Sequence, residues 1–543
     1  MADQAALDRR HKLVIIASSL GTMFEWYDFF IYGTLAAFFG KLFFPPGNES
    51  AAYLSSLALF GVGFSVRPFG ALFFGRLGDL VGRKHTFLLT IILMGLSTTL
   101  VGLLPTYAKV GFAAPLALVV LRLTQGLALG GEYGGAVIYV AEHAPKGRRG
   151  LYTGWIQTTS TVGLFLALVV IGLLRHFMTV AQFADWGWRV PFLISFFLLG
   201  ISVYMRLKLE ESPIYAEMRA QAKGSKAPLT DSFGTWANAR IVLTVLFGST
   251  AAQGVVWYAG QFYALYFLTT TLGVDYVTAY KLVAASLVVG ALMAVGIGGL
   301  SDLIGRKKIV MTGFLLAALT YQPIFHGLTR AANPALADAM ERSPVVLRTG
   351  EYKGPMALAV DALADAAVKI VHPSTARTET DKARNYLNAH GIPFALAPLA
   401  SAGAQTSLDV GSGAAVEGFS EKAYEAALAP AGYPKRADPA SINVPVVIAL
   451  LIVLLGFSAM VYGPIAAFLV ELFPTRIRYT SMSLPYHIGN GWFGGFLPLI
   501  ATSIVVFTGN IYAGLWYPIA IAAMSFVVGS LLLPETKDRD LRD

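Results

Sequence analysis

Four ionisable side chains lie inside long apolar runs of the sequence: Glu25, Asp28, Arg67 and Arg122. Glu25 and Asp28 are three residues apart, so a helix places both carboxylates on one face. Burial raises the pKa of a carboxylate and a nearby guanidinium lowers it, so a buried carboxylate can gain and lose a proton as its surroundings change. These residues predict a proton-coupling site, with Asp28 the first candidate and Glu25 the second. The alternative is a permanent buried ion pair with Arg122 or Arg67.

Arg122 has polar companions at helical spacing. Residues 122, 125, 129 and 132 fall on one stripe of a helix, which puts Gln125 and Glu132 on the face of Arg122. A guanidinium near the middle of a bilayer costs at least about 2.5 to 3.5 kcal/mol, so it should face a cavity and have a partner. We predict that Arg122 and Gln125 bind substrate and that Glu132 is a third candidate for the proton. The alternative is a structural arginine that pairs with Glu132 or with backbone carbonyls.

Arg67 precedes a proline in the sequence VRPFG. The planar guanidinium fork can bind a carboxylate through two parallel hydrogen bonds, which makes Arg67 another candidate for substrate binding. The proline and the glycine equally favour a bent helix, in which Arg67 would brace a gate at the inner end of the span. The sequence leaves both interpretations open.

The second half of the chain offers uncharged polar and aromatic residues where the first half has charges. Segments 241–274 and 444–470 contain no Lys, Arg, Asp or Glu. Side chains there that face a common cavity would supply hydrogen bonds and an aromatic wall opposite the arginines. The alternatives are packing or interfacial aromatics and a structural histidine. The candidates for substrate binding in this half are Gln253, Trp257, Tyr258, Gln261, His487 and Asn490.

Long helices must position these residues, and the composition is that of a membrane protein. The chain has 543 residues, of which 55% are hydrophobic and 13% charged, whereas soluble proteins are about 25% charged. Runs of roughly 20 apolar residues cross a hydrocarbon core of about 30 Å. We predict an all-α membrane protein with twelve spans. The spans cover residues 13–38, 53–75, 87–105, 112–139, 151–174, 189–207, 240–270, 278–300, 309–328, 444–470, 481–507 and 512–533.

Several classes of protein are excluded by composition and spacing. The sequence has no cysteine, His372 and His390 lack the spacing of metal ligands, and no nucleophile motif or phosphate-binding loop is present. We therefore predict no enzyme activity, no metal site and no cofactor, with the proton as coupling ion. The net charge of +9 comes from Lys and Arg that flank alternate connections, which predicts cytoplasmic termini and no nucleic-acid partner. We expect a monomer whose partners are protons, the lipid bilayer and a small-molecule substrate.

Two sequence patterns occur once in each half of the chain. One reads GRLGDLVGRK at residues 75–84 and GGLSDLIGRK at 298–307, and the other places Glu, Pro and Arg at 142, 145 and 149 and again at 471, 474 and 478. Transporters are commonly built from such repeats, and carboxylate–guanidinium pairs between the repeats would break as they rock. The alternative is a set of static turns with solvated charges. The predicted gating residues are Gly75, Asp79, Gly82, Arg83, Lys84, Glu142, Arg149, Asp302, Gly305, Arg306, Glu471 and Arg478.

An insertion separates the two patterns more widely in the second half than in the first. Residues 329–442 are the only polar segment in that interval, and their place between spans nine and ten makes them extracytoplasmic. A structureless segment of this length would be unusual, so we expect a small folded domain with helices near 355–371 and 378–390. The predicted units are residues 1–207 (six-helix bundle), 208–239 (cytoplasmic linker), 240–328 (spans seven to nine), 329–442 (insert), 443–533 (spans ten to twelve) and 534–543 (cytoplasmic tail).

Several of these motifs resemble a known class of membrane transporter. Residues 75–84 and their copy resemble the signature loop of the major facilitator superfamily, and residues 118–130 resemble the fourth-span motif of its proton-linked members. The sequences FEWYDFFIYG at 24–33 and VRPFG at 66–70 resemble the metabolite:proton symporter family, which includes transporters of proline and betaine, α-ketoglutarate, citrate and shikimate. The resemblance extends over the twelve-span framework and does not include the insert.

The resemblance implies two six-helix bundles that open alternately to the two sides of a bacterial inner membrane. It implies proton-coupled uptake of a small organic metabolite, and the arginines favour a carboxylate or zwitterion. Two alternatives stay open. A proton-driven antiporter or exporter fits because drug exporters share the fourth-span arginine, and a nutrient sensor would use the insert as its ligand domain.

Overall fold

The structure is a computed structural model that describes residues 19–46, 49–81, 83–131, 133–145, 147–207, 234–350, 378–399, 404–473 and 478–539, with the single residues 352, 361, 364, 401 and 541. Most of these residues are helical. The first half contains α1 (residues 19–34), α2 (Ala36–Phe43), α3 (Glu49–Ser65), α4 (Arg67–Val81), α5 (Arg83–Leu103), α6 (Tyr107–Val110), α7 (Ala113–Gly130), α8 (Tyr133–His143), α9 (Arg149–Phe177), α10 (Val180–Asp185) and α11 (Val190–Leu207).

The second half is also largely helical and includes the insert. The helices bounded within its described residues are α12 (Trp236–Thr271), α13 (Tyr276–Ile304), α14 (Arg306–Ala332), α15 (Pro334–Arg342), α16 (Glu379–Ala389), α17 (Glu421–Leu428), α18 (Val444–Tyr462), α19 (Ile465–Leu472), α20 (Arg478–Ile488), α21 (Leu497–Thr508) and α22 (Trp516–Leu532).

Ten helical segments among the described residues are long and apolar enough to cross a membrane, and Leu88–Leu103 is a shorter apolar helix. They coincide with predicted spans, and α1 covers the described part of the first one. Large apolar side chains such as Leu103, Phe197 and Leu531 are exposed on the outside of the bundle. A lipid environment accounts for this exposure, because lipid tails are as apolar as leucine.

Five predicted spans consist of two described helices each. Four of the breaks occur at Leu35, Val66, Gly131 and the Gly463–Pro464 pair, and the fifth lies between α20 and α21, after the π-helical segment Gly489–Gly494. Proline lacks the N–H that would continue a helix, so α18 ends at Tyr462, just before Pro464. The bend that Pro68 predicted beside Arg67 is the break between α3 and α4.

The N-terminal half (α1–α11) and the C-terminal half (α12–α22) pack along two sets of helices. Helix α9 lies along α13, and α3 and α4 lie against α21 and α20. A Cβ on Gly150 of α9 would lie 2.2 Å from the carbonyl oxygen of Gly298 on α13, and a Cβ on Gly298 would lie 2.5 Å from that of Gly150. Only glycine permits this approach, so the second copy of the repeated pattern brings the halves into backbone contact.

The insert contains a four-stranded sheet that the sequence did not predict. Val345 and Leu347, two residues apart, pack with Leu408 and with side chains of α16 and α17 in a small separate core. A spacing of two is the period of a strand, so the expectation of an all-α chain is wrong for the insert. The strands are β1 (Val345–Arg348), β2 (Ala395–Ala397), β3 (Ser407–Val410) and β4 (Val416–Glu417), ordered β2-β1-β3-β4 with β1 and β2 parallel and the other pairs antiparallel.

One of the two helices predicted in the insert is α16. Thr378 and Asp381 form a capping box, in which each side chain accepts a hydrogen bond from the backbone N–H of the other residue. The helix predicted near 355–371 lies almost entirely outside the described residues.

We call the end of the bundle next to the insert the insert side, and the end next to residues 533–541 the tail side.

Candidate functional site

Arg122 of α7 is completely buried inside the N-terminal half. Its guanidinium carbon lies 4.2 Å from the centre of the Phe29 ring and 4.5 Å from that of Tyr32, both on α1. Its Nη1 donates a 2.7 Å hydrogen bond to Gln125, whose Nε2 donates one of 2.8 Å to Thr98. Within the described part of the chain, Nε and Nη2 have no acceptor. A carboxylate would supply the missing acceptors.

Arg67, at the start of α4, is also completely buried. None of its three guanidinium nitrogens has a hydrogen-bond partner among the described residues. The group lies over the rings of Trp26 at 5.5 Å and Phe64 at 5.2 Å. Cation–π contacts contribute about 0.5 to 2 kcal/mol, whereas removing an ion from water costs several kcal/mol. Arg67 therefore has unused capacity to bind an anion.

The two carboxylates of α1 are buried, and Asp28 lies against α11. The Ser195 hydroxyl is beside the Asp28 carboxylate, and the adjacent Tyr27 hydroxyl donates a 2.9 Å hydrogen bond to the carbonyl of Pro191. In the described structure Asp28 forms no ion pair with Arg122 or Arg67, and its Oδ1 has no hydrogen-bond partner. The permanent ion pair considered for Asp28 is therefore not formed. Glu132 lies outside the described residues.

Gln253 and Asn490 bind each other. Gln253 Nε2 donates to Asn490 Oδ1 at 3.2 Å, and Asn490 Nδ2 donates to Gln253 Oε1 at 2.8 Å. This amide pair fixes α12 to the π-helical segment Gly489–Gly494 that follows α20. His487, one turn earlier, is buried next to the backbone of Gly130 at the end of α7. The C-terminal half thus reaches the helix that carries Arg122.

Trp257 and Gln261 face a small cavity between the halves, with room for roughly one water molecule. In the described structure Trp257 Nε1, a donor, and Gln261 Oε1, an acceptor, are buried without a hydrogen-bond partner. The cavity therefore offers one donor and one acceptor to a polar ligand. Its other lining residues are Thr161, Gly290, Ala294, Leu455, Ser458, Ala459 and Tyr462.

An aromatic layer lies between the arginines and this cavity. The Phe30 ring stacks on Trp257 with centroids 5.4 Å apart, and the rings of Phe60 and Phe64 lie 6.2 Å and 5.2 Å from that of Tyr258. Trp257 and Tyr258 thus form part of an aromatic wall, as predicted. Phe30, Phe60 and Phe64 of the N-terminal half form its other part. The phenylalanines were not predicted as site residues, because an apolar side chain in an apolar run does not differ from its neighbours.

On the tail side, Asp302 joins the halves through the start of α9. Its Oδ1 accepts a 2.8 Å hydrogen bond from the N–H of Gly150, and its Oδ2 accepts one of 2.9 Å from that of Leu151. These N–H groups belong to the first turn of a helix, where no backbone acceptor exists and negative charge is stabilised. Asp302 also forms an ion pair of 2.6 Å with Arg306. One carboxylate therefore binds both halves.

Glu471, at the end of α19, connects arginines of both halves. It lies 3.2 Å from Arg306 of its own half and 3.5 Å from Arg149 of the other. Between α13 and α14, Gly305 has a φ of +116°, and a Cβ there would lie 2.3 Å from a carboxylate oxygen of Glu535. Glycine is required at this turn.

Arg478 and Glu142 form another ion pair between the halves on this side, at 3.2 Å. Burial lowers the pKa of Arg478, and the neighbouring Glu142 carboxylate offsets part of that effect. The matching contacts of the first copy stay predictions, because the side chains of its residues lie outside the described structure. Those residues are Gly75, Asp79, Gly82, Arg83 and Lys84.

The C-terminal tail forms further hydrogen bonds on the tail side. These contacts were not predicted from the sequence. Thr536 donates a 2.7 Å hydrogen bond to Glu471. The carbonyl of Arg539 accepts one of 2.8 Å from Arg149, and that of Leu541 accepts one of 2.9 Å from Arg478. The polar run PETK directly after the last apolar span was the available signal.

On the insert side, two tyrosines of the C-terminal half bind the end of α1. The Tyr266 hydroxyl donates to the carbonyl of Gly33 at 2.5 Å, and that of Tyr280 donates to the carbonyl of Thr34 at 3.1 Å. These carbonyls stand at the break before Leu35, where the helical ladder is interrupted. Hydrogen bonds thus join the halves at both ends, and the arginines lie between two closed layers.

Comparisons with known proteins agree with one another, because the matching family model and the similar proteins are all described as transporters or transport proteins. The model of the family "Sugar (and other) transporter" matches residues 13–240 and 426–543. The inner membrane metabolite transport protein YhjE of Escherichia coli (strain K12) is 38% identical over 350 residues, 61% of this chain and 76% of the relative. The alpha-ketoglutarate permease of the same strain is 35% identical over 329 residues, 61% of this chain and 74% of the relative. A putative proline/betaine transporter of Staphylococcus haemolyticus (strain JCSC1435) is 28% identical over 535 residues, 98% and 89% of the two chains.

Solved structures of the xylose transporter XylE from E. coli share the fold. A partially occluded inward-open structure aligns with a TM-score of 0.60 at 15% identity, over 97% of this chain and 99% of that one. The proton:xylose symporter bound to 6-bromo-6-deoxy-D-glucose aligns with a TM-score of 0.61, also at 15% identity, over 98% and 97%. The arrangement of helices is therefore that of the major facilitator superfamily.

Proposed function

Because the chain belongs to the sugar (and other) transporter family, we propose that it is a proton-coupled symporter that takes up a small organic acid or zwitterion by alternating access. It is a membrane transport protein and not an enzyme, and the predicted kinship with bacterial metabolite transporters is confirmed. The relatives that point to this substrate class are named for metabolite, α-ketoglutarate and proline/betaine transport.

The buried guanidinium groups carry the proposal of an acidic substrate. Arg67 and Arg122 are completely buried, and five of their six guanidinium nitrogens have no hydrogen-bond partner among the described residues. A substrate carboxylate supplies two oxygens in the geometry of the guanidinium fork. Trp257 and Gln261 would bind the polar remainder of the substrate from the opposite side of the aromatic layer. Gln253, Asn490, Tyr258 and His487 would shape that side.

Asp28 is our proposal for the proton site, with Glu25 and Glu132 as further candidates. Its carboxylate has Ser195 beside it and no ion-pair partner among the described residues. Proton exchange there would break no salt bridge. Differential binding of the proton and the substrate to the two open states provides the coupling, and the membrane potential contributes about 2.3 kcal/mol per charge per 100 mV. No other cofactor is required.

We further propose twelve spans in two six-helix bundles, with the insert in the periplasm between spans nine and ten and both termini in the cytoplasm. The positive charges of alternate connections support this orientation, which makes the tail side cytoplasmic. Asp302, Glu471 and Arg478 would then be inner gate residues. We also propose that the transporter is a monomer.

Asp28→Asn distinguishes proton coupling from substrate binding. We expect the variant to lose uphill uptake driven by a pH gradient in proteoliposomes and to keep counterflow exchange, because the amide preserves shape and cannot carry the proton. A panel of labelled α-ketoglutarate, proline, glycine betaine and shikimate serves to find a transported compound. Asp185→Asn, an exposed aspartate of the same half, is the matched control. Uphill uptake at the wild-type level in Asp28→Asn would refute the assignment.

A further inference from the structure

The insert is bonded to the C-terminal half at the end of α12. The side chain of Asn333 donates a 2.9 Å hydrogen bond to the carbonyl of Leu272, and the N–H of Ala437 donates one of 3.1 Å to the carbonyl of Gly273. These two bonds lie near the first and last residues of the insert. Both ends of the insert are therefore held against the same turn between α12 and α13.

The middle of the insert is bonded to the end of α21, again in the C-terminal half. On α16, the Asn388 side chain donates a 2.8 Å hydrogen bond to the carbonyl of Val506, and the Arg384 guanidinium lies 4.2 Å from the centre of the Phe507 ring. Just beyond α16, the N–H of Phe394 donates a 3.1 Å hydrogen bond to the carbonyl of Gly509, the residue that follows α21. These hydrogen bonds and the cation–π contact all attach the insert to the C-terminal half.

Helix α16 also contacts the N-terminal half, because it packs against α3 as well as α21. Helices α3 and α21 come from different halves and pack against each other below it. On the same side, the hydroxyls of Tyr266 and Tyr280 bind the end of α1. Helix α16 therefore crosses the seam along which the halves would separate when the centre opens to the insert side.

We propose that α16 is a lid of the transport path: the insert moves as one body with the C-terminal half, and α16 parts from α3 each time the centre opens to the insert side. This inference rests on the proposed function, since it requires alternating access. The contact between α16 and α3 exists only while that side is closed, so it adds stability to the closed state alone and shifts the equilibrium toward it. The insert would thus set how readily substrate enters.

Pulsed EPR distances on the full-length chain test the lid. The native sequence has no cysteine, so spin labels attach only at engineered positions. Ala389 at the end of α16, Ala181 in α10 of the N-terminal half and Asn510 after α21 are all exposed. The pairs are Ala181→Cys with Asn510→Cys, Ala389→Cys with Ala181→Cys, and Ala389→Cys with Asn510→Cys. Each is measured in lipid nanodiscs at acidic and alkaline pH, with and without α-ketoglutarate.

The first pair reports the separation of the halves, and we expect a short and a long distance that differ by several ångströms. The second pair should show the same two components in the same proportions, and the third should show one narrow distance throughout. A single distance for the second pair while the first shows two would overturn the lid, as would a broad distribution for the third. One unchanging distance for the first pair under all conditions would instead contradict alternating access itself.

Discussion

Arg67 and Arg122 carry the same charge in different surroundings. Arg122 keeps a hydrogen bond to Gln125, whereas the guanidinium of Arg67 lies over the rings of Trp26 and Phe64 and has no hydrogen-bond partner among the described residues. Hydrogen bonds to charged groups contribute about 1.5 to 3 kcal/mol each, so a buried guanidinium gains substantially from every acceptor it acquires. We expect Arg122 to be oriented before substrate arrives and Arg67 to be fixed by the substrate.

Replacing Arg122 with lysine separates charge from geometry. Arg122→Lys keeps the positive charge over Phe29 and Tyr32 but loses the fork that holds Gln125 and a carboxylate together. Loss of one charged hydrogen bond, about 1.5 to 3 kcal/mol, corresponds to roughly a 10- to 100-fold weaker affinity. Uptake kinetics of the transported acid should show this increase in KM.

Arg189→Lys provides the control for that substitution. Arg189 donates hydrogen bonds to the carbonyls of Gly102 and Leu104, between α5 and the start of α11, outside the arginine and aromatic centre. The change should affect stability and leave KM within about twofold, since no binding free energy is lost at the centre. Equal KM increases in both lysine variants would mean that Arg122 acts through folding and not through the substrate.

Charged residues in apolar runs are recognisable from sequence because their insertion into lipid is expensive. Asp28, Arg67 and Arg122 were found in this way. Their neighbours were not, since the rotation of α1 decides that Asp28 lies beside Ser195 and that Phe29 meets Arg122. Such rotation depends on how neighbouring helices pack, which spacing along one helix does not encode.

Asp302 and Asp275 both accept hydrogen bonds from N–H groups at the start of a helix, with different consequences. Asp275 accepts from Thr278 of its own helix α13, so its bond is unchanged when the halves move. Asp302 accepts from Gly150 and Leu151 of the other half. The same interaction is a local cap in one place and a link between halves in the other.

We therefore expect Asp302→Asn to open the tail side. The amide loses the negative charge that the first turn of α9 stabilises by about 0.3 to 1 kcal/mol, which shifts the two-state population by up to about fivefold. Maleimide labelling of Thr161→Cys, a cavity-lining position in a chain without native cysteine, should become faster by a similar factor.

Asp275→Asn in the same Thr161→Cys background is the matched control. It removes a cap of similar geometry within the C-terminal half and should leave the labelling rate unchanged. Equal acceleration by both substitutions would indicate general loosening of the bundle. Labelling of Asp302→Asn at the background rate would show that the glycine contact and the ion pairs of Glu471 and Arg478 hold this side closed without Asp302.

The existence of the apolar helices was predictable, whereas their irregularities were not. Gln261 lies in the π-helical segment Ala259–Tyr263 and Asn490 in Gly489–Gly494. A π-turn adds one residue and rotates everything beyond it, so the face of a side chain no longer follows from a period of 3.6. A hydropathy average over a window of residues does not detect such a turn. Gln261 and Asn490 were therefore identified by residue type, whereas the direction in which their side chains point could not be predicted.

The repeated sequence patterns located the insert within the chain, but they did not predict its sheet. The interval between the two patterns is longer in the second half than in the first. This difference indicates an insertion whatever structure the inserted residues adopt. The strands are two to four residues long, too short for alternation to stand out, and they pair across long sequence separations, as Val346 does with Ala395 and Asp409. Such non-local pairing leaves no local mark.

The insert should be removable without loss of the transporter. Asn443 N–H donates a 2.8 Å hydrogen bond to the carbonyl of Ala331, so α14 and α18 already meet where the insert leaves and returns. Deleting residues 334–441 behind a short Gly-Ser link should give a folded protein whose uptake stays within a few-fold of wild type, because the central residues lie elsewhere. Without α16, maleimide should reach Thr161→Cys faster from the insert side in oriented vesicles. Complete loss of uptake by a correctly folded deletion variant would favour the sensor hypothesis, in which the insert binds the ligand.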